Sequence, residues 1–202
     1  MKDNKSKEKK KDEAPADFEK KLKAQLSDLS KKGDWNTKDL LSLKGCLYPI
    51  NNHITYLMGM AFLKKYFGIT KEPEYFQYSK MNNNGYDIAA EINGSLIIAE
   101  IKGNIPCGTE DQEGNKLYGA NQKKSIEKDI ENLNNLKDKG KKQIEKLDDF
   151  ANAYKCLVLL KNNETAINHL IKINNLSSNT VIIDSNNINL EKGKINIILI
   201  DL

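Results

Sequence analysis

Arginine is missing from this chain. All 32 basic residues among the 202 are lysines, so no guanidinium fork is present to read guanine with two hydrogen bonds or to clamp a phosphate. Any base recognition must use Lys, Asn, Gln or backbone groups. With abundant Asn and Ile, the bias fits an A/T-rich coding sequence. A dominant charge is also lacking: 28 acids leave a net charge of +4. That excludes an electrostatic glue of the histone kind, although local basic faces remain available. Cysteine is scarce and odd in number. Cys46, Cys107 and Cys156 lie far apart, with no metal-type spacing to His53 or His169, which fits a reduced, cytoplasmic setting. No apolar stretch approaches the length of a membrane span, and no hydrophobic core follows the lysine-rich start. Neither a membrane partner nor a secretory signal is expected.

The chain does have 39% hydrophobic residues, enough for one domain with a substantial core. Residues 1–15 alternate Lys with acids and carry no large apolar side chain after Met1, the composition of a disordered tail. A single domain is expected over 16–202. Phe18, Leu22, Leu26 and Leu29 fall at helical spacing, with Gly33 as a stop. Thr37 is placed as the cap of a short helix holding Leu40, Leu41 and Leu43. A second helix is predicted from Asn51, just after Pro49, to Gly68, apolar almost all round and therefore buried. Tyr75 to Tyr78 reads as a strand.

The most informative stretch runs from Gly85 to Lys102. Asn93-Gly94 between apolar runs signals a two-residue hairpin turn, and the register can then be counted. Ile92 faces Ser95, Ala90 faces Ile97, Ile88 faces Ala99, and Asp87 faces Glu100. Opposed residues in such a pair stand about 4.5–5.5 Å apart at Cβ, so two like charges there repel unless a cation lies between them. Lys102 shares their surface, because side chains repeat every second residue. The other surface, from Ile88 to Ile101, is wholly apolar and is expected to be core, leaving the acidic surface for chemistry. Oxygen ligands with open positions suit Mg²⁺ or Mn²⁺. The alternative reading is a solvent-facing hairpin whose Asp, Glu and Lys form only a surface ion pair.

Asp87, followed after a hairpin by Glu100-Ile101-Lys102, resembles the PD-(D/E)XK nuclease superfamily, which includes most type II restriction endonucleases. The chain departs from the motif at Tyr86, where the nominal proline would stand. The resemblance implies that Asp87 and Glu100 are metal ligands, that the Ile101 carbonyl is a further ligand, and that Lys102 orients the attacking water. A helix before the hairpin often supplies another acid in that family. The helix here contains none, so a three-carboxylate site would need Glu72, Glu74 or Glu91. Members also carry a polar residue on the next helix facing the metal, and Gln122 is the match.

Beyond Lys102, Gly103 to Gly119 is a long irregular stretch leaving the site, read as a substrate-facing or mobile loop. Asn121 is the expected cap of the following helix, whose stripe is Ile126, Ile130, Leu133 and Leu136. Its first amides, with Asn121, Lys123, Lys124 and Ser125, would form a DNA-phosphate corner, unless they serve ordinary capping. A helical continuation through Ile144, Leu147 and Phe150, strands over Tyr154–Leu160, Thr180–Ile183 and Ile195–Leu202, and a helix over Thr165–Asn174 complete the pattern. The expected class is α/β, a restriction-endonuclease-like core with a central mixed sheet flanked by helices on both faces. The implied activity is a Mg²⁺-dependent endodeoxyribonuclease acting on double-stranded DNA, favoured as a type II restriction enzyme. Cutting a palindrome would require a two-fold homodimer. The alternatives are a repair, recombination or mobile-element nuclease of the same superfamily, or a catalytically silent DNA-binding protein with this fold.

Overall fold

The structure, a computed structural model, describes residues 15–77, 85–135, 150–183 and 189–202. The expected tail up to residue 14 and the expected helical continuation through Ile144 and Leu147 lie outside them. The chain's contacts group into two compact units, Met1–Ile50 and Asn51–Leu202, a finer division than the single domain from residue 16 that the sequence suggests. Among the described residues, no helix is long and apolar enough to cross a membrane.

In the first unit, helix α1 spans Pro15–Ser30 and buries Phe18 and Leu29 while leaving Leu26 exposed. Helix α2 spans Thr37–Phe67, where the sequence predicted two helices broken at Pro49. Proline lacks one N–H, but its fixed φ is already helical, so one lost bond did not end the helix. The cap also shifts by one residue, from Thr37 to Asn36. The Asn36 side-chain oxygen accepts from the Asp39 amide at 3.1 Å, and the Asp39 carboxylate accepts from the Asn36 amide at 3.2 Å. This reciprocal capping box satisfies two amides. The Asp39 carboxyl is held below its usual range, first by the Lys32 ammonium that donates to it and then by the Asn36 amide.

In the second unit, the later part of α2 is followed by strands β1 (Ile88–Ile92) and β2 (Ser95–Lys102). Next come helix α3 (Ala120–Asn134), strand β3 (Tyr154–Leu160), helix α4 (Glu164–Ile173), and strands β4 (Thr180–Ile183) and β5 (Ile195–Ile200). The five strands form one mixed sheet in the order β1-β2-β3-β5-β4, with β1 antiparallel to β2 and every other pair parallel. The long apolar runs of β2, β3 and β5 are what a sheet covered on both faces requires. On one face, Met58, Phe62 and Leu63 of α2 pack with Ile88, Ala90, Ile97, Ala99 and Ile101. On the other, Ile126, Ile130 and Leu133 of α3 and Ile167 and Leu170 of α4 pack with Leu96, Ile98, Leu157 and Ile197. The class is therefore α/β, with a mixed sheet and helices. The expectation that one surface of the hairpin would be left for chemistry is corrected: Leu96 and Ile98 on that surface belong to a second core, with Glu91 exposed near the turn and Glu100 and Lys102 at the far end.

Tyr75–Gln77 is not a strand. Phe76 donates its amide to the Pro73 carbonyl at 3.1 Å in a turn, and its buried ring stacks on Tyr56 at 5.9 Å. Two helical glycines in α2 then differ in what surrounds them. A Cβ on Gly59 would strike the Phe76 ring and lie 2.8 Å from Ile101 Cδ1, whereas one on Gly45 would meet nothing within 4 Å. Gly59→Ala should lower stability by about 1–3 kcal/mol through overpacking, while Gly45→Ala should raise it by about 0.5–1 kcal/mol through helix propensity. Opposite displacements of the urea midpoint in the two variants are the expected result.

Candidate functional site

The hairpin turn sets the geometry of the site. Asn93 and Gly94 both have positive φ, 52° and 72°, the two-residue turn whose twist matches paired strands. The pairs Ile88↔Ala99, Ala90↔Ile97 and Ile92↔Ser95 follow as counted from the sequence. Asp87, one residue before β1, lies outside the paired register and lines the same cleft as Glu100. β1 ends there, leaving the Ile101 amide without a strand partner, and the Asp87 carboxylate accepts from it at 2.7 Å. N–H and C=O of one strand residue lie on the same edge. The Ile101 carbonyl is therefore turned the same way, toward the acids and away from β3.

A cleft of about 240 Å³ opens at this end of the sheet. The hairpin contributes Asp87, Glu100, Ile101 and Lys102, the exit from β2 contributes Gly103 and Asn104, and α2 contributes Asn52 and Thr55. Asn52 and Thr55, one helical turn apart, are lining residues that the sequence did not single out. Gly103 is where the chain leaves β2 hard against α2. A Cβ there would stand 2.6 Å from Ile54 Cγ2.

Burial governs the charges. Glu100 is 8% exposed, and its carboxyl has no hydrogen-bond partner among the described residues. Its pKa is pushed up to about 8, first by burial and then by the neighbouring Asp87 and Asp129, against the pull of Lys102. Asp87 is raised by burial as well, although the Ile101 amide and Lys102 oppose the rise. The Tyr86 hydroxyl, buried and facing the Glu100 charge, is pushed to about 12 and donates to the Asn132 carbonyl at 2.7 Å.

Asp129 is the site-region residue that sequence reading missed. It lies on α3, buried, with Oδ2 3.1 Å from Lys102 Nζ. Burial raises its pKa, with Lys102 opposing. For Lys102, burial favours the neutral amine, but Asp129, Glu100 and Asp87 together more than reverse that. A signal was available: position 129 falls within the stripe of Ile126, Ile130 and Leu133, and an acid on a buried helical stripe needs a partner.

The candidates on α3 are placed elsewhere. Gln122 does not line the cleft. Its Oε1 accepts from the Cys107 amide at 3.2 Å, the Cys107 thiol at 3.2 Å and the Gly119 amide at 3.1 Å, while Nε2 donates to the Ile105 carbonyl at 2.8 Å. It latches the loop leaving β2. The helix cap is Gly119, not Asn121, and the helix begins at Ala120. Asn121, Lys123, Lys124 and Ser125 are likewise absent from the cleft lining. The stretch from Gly103 to Gly119, read as substrate-facing or mobile, folds back on itself. The Gly108 amide donates to the Leu117 carbonyl, the Leu117 amide donates to the Thr109 carbonyl, and Glu110 pairs with Lys116 in an ion pair of 2.7 Å. Glu91 and Glu72 and Glu74 are exposed and line no part of the cleft.

No family model, curated protein or solved structure matches the chain.

A divalent cation fits the donor set. Among the described residues, no three His, Cys, Asp or Glu side chains converge as a metal cluster. The available ligands are then the carboxylates of Asp87 and Glu100 with the Ile101 carbonyl, all oxygen, which suits a hard ion that retains waters. Glu100, which lines the cleft without a hydrogen-bond donor among the described residues, is the group such an ion would satisfy.

Because the Glu100 pKa rises on folding from 4.5 to about 8, the folded state holds a proton that the unfolded chain releases. Its contribution to stability is fully present below the unfolded value and is lost as pH rises toward 8. Thermal unfolding of metal-free protein should show this decline between pH 5 and 8, and Glu100→Gln should flatten it. Added Mg²⁺ should raise the midpoint at pH 8 more than at pH 5, since binding requires that proton to leave.

Proposed function

We propose that this chain is a divalent-cation-dependent endonuclease that hydrolyses phosphodiester bonds in double-stranded DNA, built on a restriction-endonuclease-like core. The observation that carries the reading is the convergence of Asp87, Glu100, Ile101 and Lys102 on one cleft at the end of β2. Two carboxylates on one cleft, Glu100 buried and without a donor among the described residues and Asp87 half-buried, make a poor structural element and a good cation seat.

In this reading, Asp87, Glu100 and the Ile101 carbonyl hold Mg²⁺, or Mn²⁺ in its place. The bound ion supplies charge neutralisation at the phosphate and a water acidic enough to attack at neutral pH. The protein's part is orientation. The Ile101 amide fixes one Asp87 oxygen by a hydrogen bond. The Lys102 ammonium donates to the attacking water or to a phosphate oxygen. Asn52, Thr55 and Asn104 offer neutral polar groups to the sugar-phosphate backbone, contacts that position a duplex without reading its sequence. The specific form proposed is a small type II restriction endonuclease working as a homodimer in a reducing compartment, its base recognition made by Lys, Asn, Gln and backbone groups.

Incubation with an unmethylated plasmid and Mg²⁺ tests this directly. Discrete fragments on a gel support the restriction form, and preferential cutting of branched or damaged DNA moves the duty to repair or recombination. Absence of cutting with Mg²⁺, Mn²⁺ or Co²⁺ would refute the nuclease. In an active protein, Glu100→Ala and Lys102→Ala should each reduce cleavage by about 10²-fold or more while duplex binding in Ca²⁺ persists. Full activity in either variant removes that residue from the site.

A further inference from the structure

An ammonium group beside two carboxylates is itself a cation. The simplest resting place for Lys102 would be between Asp87 and Glu100, where it would fill the seat that the proposed reading gives to a metal. The chain does something else with it. Among the described residues, the ion pair of Lys102 is with Asp129, 3.1 Å away on the opposing helix. Asp129 is buried and anchored on the stripe that docks α3 against the sheet, between Ile126 and Ile130. Neither of the two acids at the mouth of the cleft pairs with the amine.

Resting on the reading of Asp87 and Glu100 as a cation seat, we propose that Asp129 is a positioning residue that holds the Lys102 ammonium off that seat and cancels its charge there. Local charge makes the argument. With Asp129 and Lys102 paired, the seat is left with its two carboxylates. With Lys102 alone, an incoming divalent ion would meet a fixed positive charge a few ångströms away, in a region of reduced dielectric where repulsion is strong. With neither partner, the seat keeps its charge but the water-orienting amine is gone. The pair thus lets a cationic side chain and a metal ion stand in one small cleft.

The test uses the full chain, freed of metal, with Mn²⁺ binding followed by calorimetry and by electron paramagnetic resonance. Asp129→Asn should weaken Mn²⁺ binding by about tenfold or more, and Asp129→Glu should restore most of it. Lys102→Gln should bind at least as tightly as the natural chain. The double variant Lys102→Gln with Asp129→Asn, which leaves no unpaired buried charge, should fold and bind Mn²⁺ close to the natural affinity while failing to cleave. The slowly exchanging Lys102 ammonium signal in nitrogen-detected NMR should be present in the natural chain and lost in Asp129→Asn. Cleavage by Asp129→Asn at saturating Mn²⁺ should fall in kcat rather than rise in KM. If Asp129→Asn misfolds, tighter binding by Lys102→Gln than by the double variant still decides for the proposal. Equal Mn²⁺ affinity in the natural chain and Asp129→Asn overturns it while leaving the seat standing. No Mn²⁺ binding by the natural chain overturns the seat itself, and this role with it.

Discussion

The site depends on the hydrogen bond by which Asp87 accepts the Ile101 amide. It forms where one strand of an antiparallel pair stops before its partner, so a side chain supplies what the missing strand would have given. The turn at Asn93-Gly94 fixes which residue that is. A slip of one residue would send Glu100 and Lys102 to the α2 face and Ile101 to the α3 face, exchanging charge for core. The apolar packing on both faces thus enforces the juxtaposition of two acids that electrostatics alone would drive apart.

Such a juxtaposition is costly, and the surroundings show how the cost is spread. Glu100 keeps a proton to pH values where an ordinary carboxyl has lost it. Asp87 draws on a backbone amide. Lys102, which could have neutralised either acid, is held by Asp129. Once Glu100 loses its proton, the repulsion stands at the mouth of an open cleft. Natural sequences put up with conflicts of this kind where function uses them.

Much of the fold could be read locally. The hairpin register, the buried runs of β3 and β5 and the apolar stripe of α3 each follow from periodicity and turn chemistry, which act over a few residues. The misreadings came from choices made at longer range. Pro49 resembled a break, yet α2 passes through it. Tyr75 and Phe76 resembled a strand, but Phe76 was needed to fill the gap beside Gly59. Gln122 looked like a site residue because of its place on the helix, and its amide is spent on the Ile105, Cys107 and Gly119 backbone. Asp129 was passed over because its place on the stripe of Ile126, Ile130 and Leu133 says that it is buried but not which residue pairs with it.

The sequence by itself determined the hairpin register and the face on which Glu100 and Lys102 stand, because period-two alternation and a two-residue turn leave no freedom in it. Only the tertiary structure decided that α3 crosses the end of β2, that its buried stripe delivers Asp129 to Lys102 rather than Gln122 to the acids, and that α2 walls the cleft with Asn52 and Thr55. Helix-to-sheet docking is set by the fit of whole apolar faces, so which polar groups meet at the rim is a property of the packed unit and of no single segment.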